Sequence, residues 1–318
     1  MSPVTVFSLG GTILSCAGSA EPVPLDRLHG PGMDGVQFKE LSRIGSNALG
    51  FADILALAGK VIAAHGEKKQ GFLVVQGTDT MEETAFLLDL LVPRDIAVVM
   101  TGAMRTADMA GADGPGNFAD ALTAVRALEG TGFGVCVCMG GEIHAAALVR
   151  KRDAGRPSAF ASPGFGPLGY LAEGACRLPF RPSPRPGPYQ VKGLAPLVGL
   201  IDINFAVTPA EIAAALTAPF AGLVVAGLGA GTMPPAVDPL LGAAADRIPV
   251  VITSRCGRGE VAAGTYVGPG TTNNLLQYGV MPGAFLDARK TRILLTVLLW
   301  AGYRGAALED ELAVWRTL

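Results

Sequence analysis

Phe72-Leu73-Val74-Val75-Gln76-Gly77-Thr78-Asp79-Thr80-Met81-Glu82-Glu83-Thr84 reads as a buried strand, a glycine turn and the first turn of a helix. Phe72–Val75 is apolar at every position, without the alternation of a half-exposed strand, so it belongs in a parallel sheet covered on both faces. The helix that follows opens with Glu82 and Glu83, whose charges favour the positive end of its dipole. Thr78 and Asp79 are thereby set at the carboxyl edge of a sheet, where ligands of α/β proteins bind beside free backbone N–H groups. The amino terminus repeats the design. Val4–Leu9 is a strand pattern running into Gly10-Gly11-Thr12-Ile13, which places a second threonine at the end of a buried strand.

Further strands are read at Ile96–Met100 and Gly134–Cys138, and helical spacing of apolar residues at Ala52–Ala64, Glu82–Leu91 and Asn117–Leu128. Strand and helix in alternation imply right-handed crossovers and an open sheet. Leu178–Gly193 carries five prolines and no periodicity, the composition of a linker. Beyond it the alternation resumes with strand Leu197–Asp202, helix Pro209–Leu216, strand Leu223–Gly227, helix Ala236–Ala245, strand Pro249–Thr253 and a long last helix from Lys290. The expected fold is two-domain α/β. A larger N-terminal domain, 1–178, has an open, mostly parallel sheet with helices on both faces; a proline-rich linker, 179–193, leads to a smaller C-terminal α/β domain, 194–318.

The totals agree. The chain of 318 residues is long for one core, and with half its residues apolar and 16% charged it suits a well-buried α/β protein. A net charge of −2 with no Lys/Arg-rich run argues against a nucleic-acid partner. The longest apolar run, in Ile293–Tyr303, is about half the ~20 residues of a membrane span and reads as a core helix. Met1-Ser2-Pro3-Val4 leads straight into a strand without a leader pattern. Cys16, Cys136, Cys138, Cys176 and Cys256 suggest no disulfide framework, so a reducing cytoplasm is expected. Cys136 and Cys138 alternate within a strand, where packing is a better reading than metal binding.

A threonine hydroxyl attacks only when something takes its proton. His144, in a loop after a strand, is one candidate base; His65, at a helix end, reads as a surface residue. Lys151 is another, since it follows the apolar run Ala145–Val149, and burial can lower a lysine's pKa. Gly227-Leu228-Gly229-Ala230-Gly231-Thr232 has the wrong glycine spacing for a dinucleotide fingerprint. No P-loop, H-E-x-x-H or G-x-S-x-G is present. Hydrolysis without a cofactor or metal remains. Each of Thr12, Thr78, Asp79 and Ser46, taken singly, reads better as a helix cap.

Taken with their flanks these residues form longer patterns. Phe7-Ser8-Leu9-Gly10-Gly11-Thr12-Ile13 resembles the first signature of the bacterial-type L-asparaginase/glutaminase family, and Val75 through Thr84 resembles the second. Met100–Arg105, Ala112-Asp113-Gly114-Pro115, Ala159–Pro163, Ser254-Arg255, Tyr278-Gly279 and Arg289–Ile293 extend the likeness over nearly the whole chain. The resemblance implies that Thr12 attacks a side-chain amide carbon to form an acyl-enzyme, which water releases as the acid after ammonia leaves. Thr78, Asp79 and Lys151 would form a second cluster that orders the proton relay. Gly11 and Gly77 carry the turns whose backbone would receive the oxyanion. Ser46, with Asn47 beside it, would hold the substrate α-carboxylate, Asp79 the α-ammonium, and the Ala103 backbone the amide nitrogen. The resemblance further implies a homodimer or homotetramer acting on a small amide.

The chain departs from the family in three places. No tyrosine precedes Tyr170, where members carry one on the loop after the first threonine; Ser15 or Ser19 would have to replace it. Position 47 is Asn where many members have Gln, Glu or Asp. The turn Gly229-Ala230-Gly231-Thr232 replaces Gly-Asn-Gly-Asn, and no carboxylate is found around Thr271-Thr272-Asn273-Asn274. L-Asparagine is the expected substrate, with L-glutamine, a D-configured or modified amide, or a catalytically weak amino-acid-binding relative as alternatives.

Overall fold

The computed structural model describes residues 3–16, 33–67, 70–283 and 285–316. The chain divides into two compact units, Met1–Ser183 and Pro184–Leu318. In the first, strands β1 (Val4–Ser8), β2 (Val36–Glu40), β3 (Gly71–Val75), β4 (Val98–Thr101) and β5 (Val135–Met139) alternate with helices α1 (Phe51–Glu67), α2 (Met81–Leu91) and α3 (Gly114–Leu128). Five more short strands follow: β6 (Glu142–Ala145), β7 (Arg150–Lys151), β8 (Phe160–Ala161), β9 (Gly169–Ala172) and β10 (Ala175–Arg177).

The large sheet has the order β10-β9-β6-β5-β4-β3-β1-β2. Strands β2 through β5 are parallel, and β6, β9 and β10 extend the sheet antiparallel. All side chains of β1, β3, β4 and β5 are buried, which is why they read as unbroken apolar runs. One face of Val4, Val6, Leu73, Val75, Val99, Cys136 and Cys138 packs with Phe118, Leu122 and Val125 of α3. On alternate positions Phe7 and Phe72 stack with centroids 5.9 Å apart, and His65 of α1 lies over Phe72. Helices therefore cover both faces.

In the second unit β11 (Val198–Asp202), β12 (Gly222–Gly227), β13 (Val250–Ser254) and β14 (Met281–Pro282) form one parallel sheet in that order. It is accompanied by α4 (Pro209–Ala215), α5 (Asp238–Ala245), α6 (Thr272–Leu276), α7 (Ala288–Trp300) and α8 (Gly305–Arg316). Thr208 and Glu211 close α4 with a capping box, and the Asp287 carboxylate accepts from Arg289 N and Lys290 N to start α7.

Several expectations need correction. The last long helix is two helices, broken around Gly302, and α7 begins before Lys290 because Asp287 caps it. Helix α3 begins at Gly114, since Pro115 is tolerated in a first turn. His144 is not in a loop: Gly140 and Gly141, with φ of 60° and 76°, make a tight hairpin turn, and His144 is a fully buried residue of β6. His65 is buried, its Nδ1 3.1 Å from Gln70 O. Nor is the whole proline-rich segment a tether. Tyr189 is buried in the second unit, edge-on to Tyr303, and accepts a hydrogen bond from Trp315 Nε1 at 3.0 Å.

Candidate active site

From β1 the chain passes to β2 on one side, and from β3 onward it builds toward β4 and β5 on the other. The reversal of strand order falls between β1 and β3, the place where open α/β sheets bind ligands beyond their carboxyl ends. Both threonine turns emerge there. Leu9 N still donates to Val75 O at 2.9 Å, the last rung of the β1–β3 ladder. Beyond it the two turns press together. Gly11 has φ of +106°, and a Cβ on it would stand 2.3 Å from Gly77 N. Only glycine meets both demands, so Thr12 and Thr78 are carried at the ends of adjacent strands, each one residue past the point of contact.

Lys151 reaches this edge from another direction. Antiparallel pairing of β7 with β8, Arg150 to Ala161 and Lys151 to Phe160, forms a short ribbon. Lys151 Nζ donates to Thr78 Oγ1 at 2.9 Å and to Asp79 Oδ1 at 3.1 Å. The lysine side chain is 17% exposed and the Asp79 side chain 68% exposed. The cluster thus has a sheltered end at Thr78, itself buried, and an open carboxylate that an incoming cation can meet.

Ser46 is buried in a 3-10 turn beyond β2. Its Oγ accepts from Asp79 N at 3.2 Å, and its carbonyl accepts from Thr80 Oγ1 at 2.8 Å. A hydroxyl that accepts in this way keeps its own proton for an anionic partner. Asn47 is exposed on the same turn. The Ser42 hydroxyl, donating to Leu9 O at 3.0 Å, ties the loop after β2 to the end of β1. Capping is therefore not what these residues do. Thr80 is the N-cap position of α2, while Thr78 and Asp79 hold the lysine and Ser46 holds the turn.

Ala103 is buried in the loop after β4. The Asp113 carboxylate fixes that loop by accepting from Met104 N and Arg105 N, and Asn117 Nδ2 donates to Gly102 O at 3.0 Å. The motif containing Asp113 is visible in the sequence, but its task depends on a loop folded back over nine positions. Glu82 is the other unforeseen member. It is 3% exposed and accepts from Lys151 N, so it does more than favour a helix dipole.

His144 has its Nδ1 3.0 Å from Ser162 Oγ and its Nε2 3.4 Å from Glu142 Oε2. Lys151, the other candidate base, touches a threonine hydroxyl, Thr78 Oγ1. Ser15 Oγ donates to Gly11 O at 3.1 Å, so its proton is engaged with the backbone. Ser19 lies outside the described residues. Around Thr271–Asn274 a carboxylate does appear, brought by α5. Asp238, buried, accepts from Gly270 N at 2.6 Å and from Asn274 Nδ2 at 2.7 Å. In the glycine-rich turn after β12, Leu228 pairs with Thr232. Gly229 and Gly231 take φ of 48° and 93° in this tight turn.

The structure thus sets a threonine–lysine–aspartate cluster at the switch point of a parallel sheet, beside a second threonine in a glycine turn, an arrangement with the groups that hydrolysis in an α/β protein requires. Known proteins narrow it. Residues 3–183 match the family model for the N-terminal domain of asparaginase, and residues 198–311 match that for the glutaminase/asparaginase C-terminal domain. The probable L-asparaginase of Deinococcus radiodurans is 36% identical, over 88% of this chain and 86% of that protein. The probable periplasmic L-asparaginase of Haemophilus influenzae is 32% identical, over 93% and 88%. The crystal structure of a probable cytoplasmic L-asparaginase from Campylobacter jejuni superimposes with a TM-score of 0.87 at 26% identity, covering 99% of this chain and all of that one. The chain belongs to the asparaginase family and is an amidohydrolase.

Proposed function

We propose that this protein hydrolyses the side-chain amide of L-asparagine to L-aspartate and ammonia. The observation that carries the reading is Lys151 Nζ within hydrogen-bond reach of both Thr78 Oγ1 and Asp79 Oδ1, beside the turn that bears Thr12. Ser46 donates its free proton to the substrate α-carboxylate, with Asn47 beside it, and exposed Asp79 takes the α-ammonium. The substrate amide is then carried toward Thr12, and Ala103 accepts from its nitrogen. Thr12 Oγ1 bonds to the amide carbon as its proton passes toward the Thr78–Lys151 cluster. Backbone groups at the Gly11 and Gly77 turns receive the developing oxyanion. The C–N bond breaks, ammonia leaves with the relayed proton, and water cleaves the acyl-threonine ester to give aspartate and restore Thr12.

A second reading keeps the mechanism and changes the substrate. The Asp238 carboxylate near Thr271–Asn274 is buried and fully occupied at Oδ2 by Gly270 N and Asn274 Nδ2, which favours an altered α-amino pocket and hence L-glutamine, a D-amino-acid amide or a modified amide. We place the protein in the cytoplasm as a homodimer or homotetramer. All five cysteines are free thiols, which suits a reducing compartment. Among the described residues no helix is long and apolar enough to cross a membrane. Ammonia release measured against L-asparagine, D-asparagine, L-glutamine and simple amides separates the readings. Preference for L-asparagine supports the first, and preference for another amide the second. Silence on all four would leave a scaffold without the reaction.

A further inference from the structure

We propose that Glu82 is a positioning residue that aims Lys151 at Thr78; the inference rests on the reading of Lys151 as part of the proton relay. The lysine is held at both ends by one short stretch of chain. Its Nζ donates to Thr78 and Asp79, and its backbone N–H donates to the Glu82 carboxylate. Residues 78 to 82 thus clamp a side chain that arrives about seventy positions later in sequence.

A lysine side chain has more rotamer freedom to lose than almost any other, so holding only its tip leaves the stem to wander. Fixing the backbone at the root sets the point from which the stem starts, so that Nζ reaches Thr78 and Asp79 from one place. The ribbon that carries Lys151 is short, with β7 and β8 of two residues each. Glu82 ties its backbone to a separate element, the first turn of α2. Its own burial is offset by the first-turn position in α2, where the helix dipole favours a negative charge. A carboxylate accepting from a backbone N–H makes a stronger, shorter bond than a neutral acceptor.

The test is a double-mutant cycle read in kcat for ammonia release from L-asparagine, with thermal unfolding measured alongside. Glu82→Leu should lower kcat about tenfold to a hundredfold, the value of a hydrogen bond to a charged group. Glu82→Gln, which keeps an accepting oxygen, should recover kcat to within about threefold. In a Lys151→Met background, Glu82→Leu should cost nothing further, because a residue acting through the lysine has nothing left to position. An equal loss in both backgrounds, or full activity of Glu82→Leu, would overturn the assignment. If Glu82→Leu does not fold, a folded Glu82→Gln as slow as Lys151→Met would overturn it instead. Full activity of Lys151→Met would remove the lysine from the relay itself, a distinct failure.

Discussion

Thr78 and Lys151 are far apart in sequence, and their side chains meet at 2.9 Å. A general acid–base partner contributes about a hundredfold to ten-thousandfold to a rate. Lys151→Met should therefore lower kcat by that order while leaving thermal unfolding within a few degrees, since the cluster is at an open edge rather than in the core. Lys151→Arg should not restore the rate, because a planar guanidinium presents its donors in a fixed fork rather than at a point; steady-state kinetics on both variants decide it. Thr12, Thr78 and Asp79 stand out in the sequence because each follows a buried strand and a glycine turn, and Lys151 because it follows the apolar run Ala145–Val149; the structure brings Thr78, Asp79, Ser46 and Lys151 together. Glu82 and Asp113 were not legible as site supports. Their partners are set by tertiary folding, and a first-turn glutamate looks the same whether it faces solvent or a buried amide.

At the scale of elements, the contact between the β1 and β3 turns is the part least tolerant of change. Gly11→Ala would put a methyl group 2.3 Å from Gly77 N on a backbone with φ of +106°, conditions that require the main chain to move. Activity should fall by well over tenfold and the unfolding temperature should drop measurably; a variant with native kinetics would show that the two turns do not need to touch. Phe72→Ala, which empties a fully buried ring from the stack with Phe7, should cost about 3 to 5 kcal/mol in denaturant unfolding. The central parallel strands were readable because burial on both faces writes a continuous apolar run. The strands β2, β9 and β10, toward the margins of the sheet, were missed for the converse reason: their side chains are largely half-buried or exposed, so composition does not mark them. His144 was misplaced because a two-glycine hairpin leaves too short a signal to separate a turn from a loop.

Over the whole molecule, burial decides which thiols can react. Cys136 and Cys138 are buried in the core of the first unit, and desolvation raises the Cys138 thiol well above its ordinary range, so little thiolate forms. Cys256 is exposed. A thiol reagent applied to the native protein should modify Cys256 early and Cys136 and Cys138 only after unfolding, which peptide mass mapping would show. The division into two α/β units was also readable, from the loss of periodicity and the prolines after Leu178. That Tyr189 packs into the second unit was not, because a buried aromatic in an irregular segment leaves no periodic trace.

Hydrolysis turns on Thr12 as the nucleophile, which is tested by the ammonia and aspartate released from L-asparagine by the wild-type protein and by Thr12→Ala, with folding of both checked by thermal unfolding. The wild type should release the two products in equal amounts. The variant should be folded and slower by about a thousandfold or more, the scale on which loss of a nucleophile is felt. A folded Thr12→Ala that turns over L-asparagine at the wild-type rate would contradict the mechanism.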